Sequence, residues 1–167
     1  MRAAAVRGRT RAREVDYDVA GPTMAPLLGV QRMKVSTTVH FNGQCEAAFE
    51  FYERQLGAKI EFLLRWGESP SGDQVPPEWR DKVLHARLTL GGADLIGGDV
   101  LARDYRQPQG FSVMLAIYDP QQAEQMFAAL ADGGSVKMPL QKTFWAPLYG
   151  FVVDRYSIPW EVNCEAS

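Results

Sequence analysis

The chain has 167 residues, 46% of them hydrophobic, with 18 basic against 20 acidic side chains and a formal net charge of −2. That length builds one substantial core but hardly two large ones, and the balanced charge offers no basic field for nucleic acid. No apolar run reaches the length of about 18 residues that a membrane-spanning helix needs, so the expectation is a soluble protein with neither a nucleic-acid nor a membrane partner.

Residues 1–32 carry Arg2, Arg7, Arg9, Arg11 and Arg13 ahead of the first acid, Glu14, and no apolar signal core follows. An organellar transit peptide shares the Arg-rich, acid-poor start but not the absence of Ser and of an amphipathic stripe. The segment reads as a disordered extension or as a start placed too early, with Met33 the natural beginning of a domain over 33–167.

From Ser36 the pattern becomes regular. "STTVHF" alternates as a half-buried strand, Thr37, Val39 and Phe41 on one face and Ser36, Thr38 and His40 on the other. In "QCEAAFEFYERQLG", Ala48, Phe51, Tyr52 and Leu56 recur at helical spacing, and Gly57 stands where a helix ends. "AKIEFLLRW" is a strand, followed by a polar, proline-bearing loop from Gly67 to about Asp81 that Trp66 and Trp79 flank. "KVLHARLTL" and "ADLIGGD" are two strands joined by a tight turn at Gly91 and Gly92. This unit spans roughly 36–99.

A second unit, over roughly 110–164, repeats the order. "FSVMLAIY" is a strand; "DPQQAEQMFAALADGG" is a helix with Asp119 as N-cap, Pro120 in its first turn, and Ala123, Met126, Phe127 and Leu130 as its apolar stripe. "SVKMPL", "YGFVVD" and "PWEVNCE" are strands. Each unit thus runs βαβββ, an α+β fold in which one helix shields one face of a four-stranded antiparallel ribbon, while the other face needs cover. Pairing the units as an incomplete barrel, helices outside, leaves a shared cleft as the natural ligand site. Two separate ferredoxin-like sandwiches are the alternative, disfavoured by having one helix per unit. Cys45 and Cys164 form no CxxC pair and read as small core hydrophobes in a reducing, cytoplasmic setting.

The stretches "HFNGQCEAAFEFYERQLGAKIEF", "HARLTLGGADLIGGD", "MPLQKTFWAPLYGFVVDRYSIPW" and "EVN" resemble the vicinal oxygen chelate superfamily, which includes glyoxalase I, bleomycin-resistance proteins and extradiol dioxygenases, and within it the PhnB-like branch. The resemblance covers most of 36–164 and is most specific in the string from Gln141 to Trp160. It implies a homodimer. In members that do chemistry it also implies a divalent metal held by four side chains, one from the first and one from the last strand of each unit, with open positions for two adjacent substrate oxygens.

Carried over position by position, those ligands fall at Thr37, at Ile96 with Asp94 and Asp99 as the nearest carboxylates, at Phe111 or Ser112, and at Glu161. Only Glu161 matches. His40 lies three residues from the first position, on the opposite face of its strand; His85 lies on another strand, on the face of Val83, Arg87 and Thr89. A hard-cation site of Asp94, Asp99 and Glu161 is what remains for a metal. The branch also carries a label as a ubiquinone-pathway methyltransferase, which the sequence does not support. Its glycine clusters sit at a hairpin and a helix end, not between a strand and a helix of a parallel sheet. Walker, GxSxG and HExxH motifs are absent as well.

Glu161 and Asn163 share one face of the last strand and Trp160, Val162 and Cys164 the other. Glu161 is a candidate general base, its pKa raised by desolvation, or the partner of Arg87 across the cup. His85 is a candidate acid or base, or simply a hydrogen-bonded strand histidine. Phe144 and Trp145 can stack on a flat ligand or belong to the core. Trp66 and Trp79 belong to a lid or to a dimer contact. Thr37, Arg87, Phe144, Trp145, Glu161 and Asn163 are therefore the candidate cleft residues.

The sequence reading is a protein that binds a small organic molecule without a complete metal site and needs no cofactor. A metal-dependent lyase, isomerase or dioxygenase is the alternative.

Overall fold

Alternation and helical spacing resolve into the same pattern twice. The computed structural model describes residues 34–165, so the expectations for 1–32 lie outside the described residues. The chain divides into Met1–Lys34 and Val35–Ser167, and the fold below is that of the second part. Its elements are β1 (Thr37–Phe41), α1 (Cys45–Leu56), β2 (Lys59–Arg65), β3 (Val83–Leu90), β4 (Ala93–Asp99), β5 (Val113–Ile117), α2 (Pro120–Ala131), β6 (Ser135–Gln141), β7 (Leu148–Val153) and β8 (Pro159–Cys164). The loop between β2 and β3 is built from short 3₁₀ turns at Trp66–Glu68, Gly72–Gln74 and Pro77–Trp79.

Two four-stranded sheets form, in the orders β1-β4-β3-β2 and β5-β8-β7-β6, and neither closes into a barrel. They are mixed, not antiparallel as the sequence suggests: β1 lies parallel to β4 and β5 parallel to β8. The cause is the helix. It carries the chain from β1 across to the far edge, so the β2-β3-β4 meander ends by running alongside β1 in β1's own direction.

Each helix packs on one face of its sheet. Beneath α1, which contributes Ala48, Phe49 and Tyr52, lie Val39, Phe41, Ala86 and Leu88, while Val152, Trp160 and Val162 lie beneath α2. The ends follow local chemistry. Asp119 accepts the Gln121 amide at 3.1 Å, and Gly57 closes α1 at φ 69°, a left-handed conformation that costs a glycine little. The start of α1 is capped from far away, the Asp99 carboxylate accepting the Cys45 amide at 2.9 Å, a long-range cap that local spacing does not reveal. Cys45 and Cys164 are free and buried. Burial, then the nearby Asp99 and Glu46 carboxylates, pushes the Cys45 thiol up, away from the reactive thiolate.

The units meet through the helical layer. Tyr52 of α1 stacks edge-on against Trp160 of β8 at 5.1 Å, and its hydroxyl donates to Asp154 at 2.5 Å. The Arg155 guanidinium covers the Phe51 ring at 5.2 Å. The opposite face of each sheet is left open within the chain. Among the described residues, no helix is long and apolar enough to cross a membrane.

Candidate functional site

On the second sheet the parity of β8 follows the sequence: Trp160, Val162 and Cys164 are fully buried, and Glu161 and Asn163 face the open side half-buried. Register sets their neighbours, Met114 and Phe151 beside Glu161, Ala116 and Tyr149 beside Asn163. Ser112, just ahead of β5, donates its hydroxyl to the Glu161 carboxylate. Burial, then a hydrogen bond to Glu161, raises the Tyr149 phenol above the ordinary tyrosine value. Glu161 is therefore bracketed by two hydroxyls and is not paired with Arg87, which stands on the other sheet.

An aromatic shelf adjoins this cluster. Trp145 meets Tyr149 edge-on at 5.4 Å and Phe144 at 4.5 Å. A turn fixes the shelf, the Thr143 amide donating to the Ala146 carbonyl and the Ala146 amide to the Thr143 hydroxyl, each at 3.0 Å. Phe144 is 96% exposed, Trp145 54% and Met114 57%, so these side chains line an open surface and do not fill the core. The arrangement offers a carboxylate acceptor with two adjustable hydroxyls beside flat apolar area.

On the first sheet, Thr38, Ile96, Arg87 and Phe62 form one cross-strand row. Thr37 pairs with Leu95 and shares the parity of Val39 and Phe41, so it belongs to the helix side of the sheet and not to the open face. Val83 does not share an open face with His85 and Arg87: it is buried, because a register shift between Leu64 and Arg65 breaks the alternation there. The Arg87 side chain is exposed and makes no hydrogen bond or ion pair with another described residue. The open face also gathers His40 and His85 into one pocket. Sequence reasoning missed that meeting, since it depends on strand order and not on spacing.

The carboxylates considered for a hard cation are not gathered. Asp99 turns inward to the amides of Cys45 and Val83, each at 2.9 Å, and burial raises its pKa above the ordinary carboxylate value. Asp94 accepts from Thr89 at 3.3 Å, and Glu161 is on the other sheet. Among the described residues no group of three or more His, Cys, Asp or Glu converges in a way that could hold a metal. With Ile96 on the first sheet's last strand and a serine hydroxyl beside Glu161, the donor set does not fit the four-ligand site the superfamily implies.

The flanking tryptophans have different fates. Trp66 lines the histidine pocket and donates its indole N–H to the Asp99 carbonyl at 3.3 Å, whereas Trp79 ends a 3₁₀ turn. A hollow between the units, about 560 Å³, is walled by residues 114–117 of β5, the start of α2, the β3–β4 hairpin and the end of α1. It contains none of the candidate cleft residues, which stand on the open faces or, for Thr37, behind one.

Residues 33–163 match the family model described as 3-demethylubiquinone-9 3-methyltransferase. The chain is 30% identical to protein YjdN of Escherichia coli K12 over 142 residues, 78% of this chain and 95% of that protein. Among solved structures, protein PA1353 from Pseudomonas aeruginosa is 39% identical with a TM-score of 0.74, covering 81% of this chain and all of its own. A Bacillus cereus protein described as a putative 3-demethylubiquinone-9 3-methyltransferase, PhnB protein, shares the fold at 23% identity and a TM-score of 0.68, covering 81% of this chain and 100% of its own.

Proposed function

We propose that this chain, which belongs to the PhnB-like branch of the vicinal oxygen chelate superfamily, sequesters or senses a small organic molecule on the open face of its second sheet, in the cytoplasm. One arrangement carries the reading: the Glu161 carboxylate, hydrogen-bonded to Ser112 and close enough to Tyr149 to raise its phenol, beside the exposed Trp145 and Phe144. A ligand with a flat apolar body stacks on the indole and directs an N–H or O–H donor at the carboxylate. Rotation of the Ser112 hydroxyl frees an acceptor oxygen for it. An open sheet face is half of a cup, and a second copy supplies the other half, so the ligand-binding form is a homodimer.

Methyl transfer, named in the family model's description, is not part of this reading. The strand glycines Gly97 and Gly98 lie against Phe49 and the Leu84 backbone and do not form a turn that could cradle a cofactor. The reading also requires no metal at Glu161.

The test is a titration of purified protein with small phenols and aromatic amines, followed by tryptophan fluorescence. Saturable quenching that Trp145→Ala abolishes, and that Glu161→Gln weakens roughly tenfold, as loss of a charge-assisted hydrogen bond does, supports it. Stoichiometric divalent metal in the purified protein, lost in Glu161→Ala, overturns it in favour of a metal-dependent lyase, isomerase or dioxygenase.

A further inference from the structure

The chain has two histidines, and both line one pocket of about 230 Å³ on the open face of the first sheet. His40 comes from β1 and His85 from β3, the strands on either side of β4. His40 is in register with Gly98, and His85 precedes Ala86, the partner of Gly97, on the other side of β4. Gly97 and Gly98 of β4 line the pocket together with the two histidines. A Cβ on Gly98 would fall 2.7 Å from the Leu84 carbonyl oxygen, so a larger residue does not fit.

A cation stands on the same face as the two histidines, outside the pocket lining itself. Arg87 stands two residues along β3 from His85, on the same face, exposed and unpaired among the described residues. Asp99 borders the pocket, but its carboxylate oxygens accept from the Cys45 and Val83 amides on the buried side. Thr38 adds a hydroxyl, and Trp66 and Ile96 add apolar wall.

We infer that this pocket binds the anionic group of a small organic molecule, a carboxylate or a phosphate, through the imidazoles of His40 and His85 and the guanidinium of Arg87. An unpaired guanidinium presents a planar fork of donors suited to either group, and each neutral imidazole supplies one further N–H. A divalent cation is the poorer occupant, because it finds two ligands where at least three are usual and a fixed positive charge on the same face. The inference is independent of the Glu161 reading, since it concerns the other sheet.

The experiment is a titration of the full-length protein, its histidines isotopically labelled, with inorganic phosphate, with benzoate and with chloride at matched ionic strength, monitored by imidazole NMR. Resonances of both histidines are expected to move along one saturating curve with phosphate or with benzoate, and not with chloride. Which of the two anions saturates first identifies the class. Arg87→Ala, an exposed substitution, is expected to weaken that binding roughly tenfold, and the readout on the two first-sheet imidazoles keeps the result separate from the Trp145 response of the second-sheet site. The inference is overturned if neither anion saturates, if only one histidine responds, if Arg87→Ala binds as tightly as the parent, or if Ni²⁺ broadens both resonances where the anions have no effect.

Discussion

Asp154 is the residue on which the two units converge. It receives the Tyr52 hydroxyl at 2.5 Å, the Trp160 indole N–H at 2.9 Å and the amides of Tyr156 and Ile158 at 2.9 Å each. Burial raises its pKa, and those donors only partly oppose the rise. A carboxyl whose folded pKa lies above its unfolded value gains a proton on folding, so its contribution is fully present below the ordinary aspartate value of about 4 and is lost as pH climbs through the raised folded value. Tyr52→Phe removes a donor that favours the charged form, so it is expected to raise the carboxyl further and to cost about 1–3 kcal/mol. Urea midpoints should therefore fall more steeply for this variant than for the parent as pH rises above 4. Asp154→Asn, which cannot titrate, should flatten the same profile. Parallel profiles for all three proteins would remove Asp154 as the titrating group.

The elements owe their close packing to two strand glycines. A Cβ on Gly97 would lie 2.5 Å from the Phe49 ring and 2.8 Å from the Cys45 sulfur, and one on Gly150 would lie 2.6 Å from the Phe127 ring and 3.0 Å from the Leu140 Cα. In each unit a helix phenylalanine rests where a strand side chain would be. Gly97→Ala and Gly150→Ala are each expected to cost about 1–3 kcal/mol through overpacking, read as lower thermal midpoints. Gly150 should be the more sensitive, because backbone and not only a ring stands in the way. An unchanged midpoint for either would mean that the helix shifts freely over its sheet. These elements were legible in the chain because each announces itself locally: the Asp119-Pro120 start, the Gly91-Gly92 turn and the alternation of β8 all lie within a few residues of what they control. The site was only half legible. Glu161 and Asn163 emerge from strand parity, but the His40–His85 pocket depends on β4 lying between β1 and β3, and the Asp99 cap joins residues 54 apart. Placing Thr37 in the cleft failed for a related reason: the face it shares with Val39 and Phe41 is the one the helix covers.

At the scale of the molecule, the open faces carry large apolar side chains in water, and apolar area of that kind marks a contact surface. Met114, Trp145 and Phe144 project from the second unit and Phe62, 46% exposed, from the first sheet. Each open face thus carries apolar side chains that a second copy can cover. Two such contacts related by a twofold axis close the assembly without leaving a sheet face over. The proposed homodimer therefore predicts a sedimentation profile that shifts from monomer to dimer with concentration and a thermal midpoint that rises with it, since whatever binds only the folded chain stabilises it by mass action. Met114→Asp sets a second carboxylate beside Glu161 within the apolar patch, at a side chain 57% exposed. It should give monomer at concentrations where the parent is dimeric, with unchanged far-ultraviolet circular dichroism and weakened quenching of Trp145 by aromatic ligands. A parent chain that stays monomeric at all concentrations, yet binds those ligands, would show that one sheet face suffices and that the exposed apolar surface serves the ligand alone.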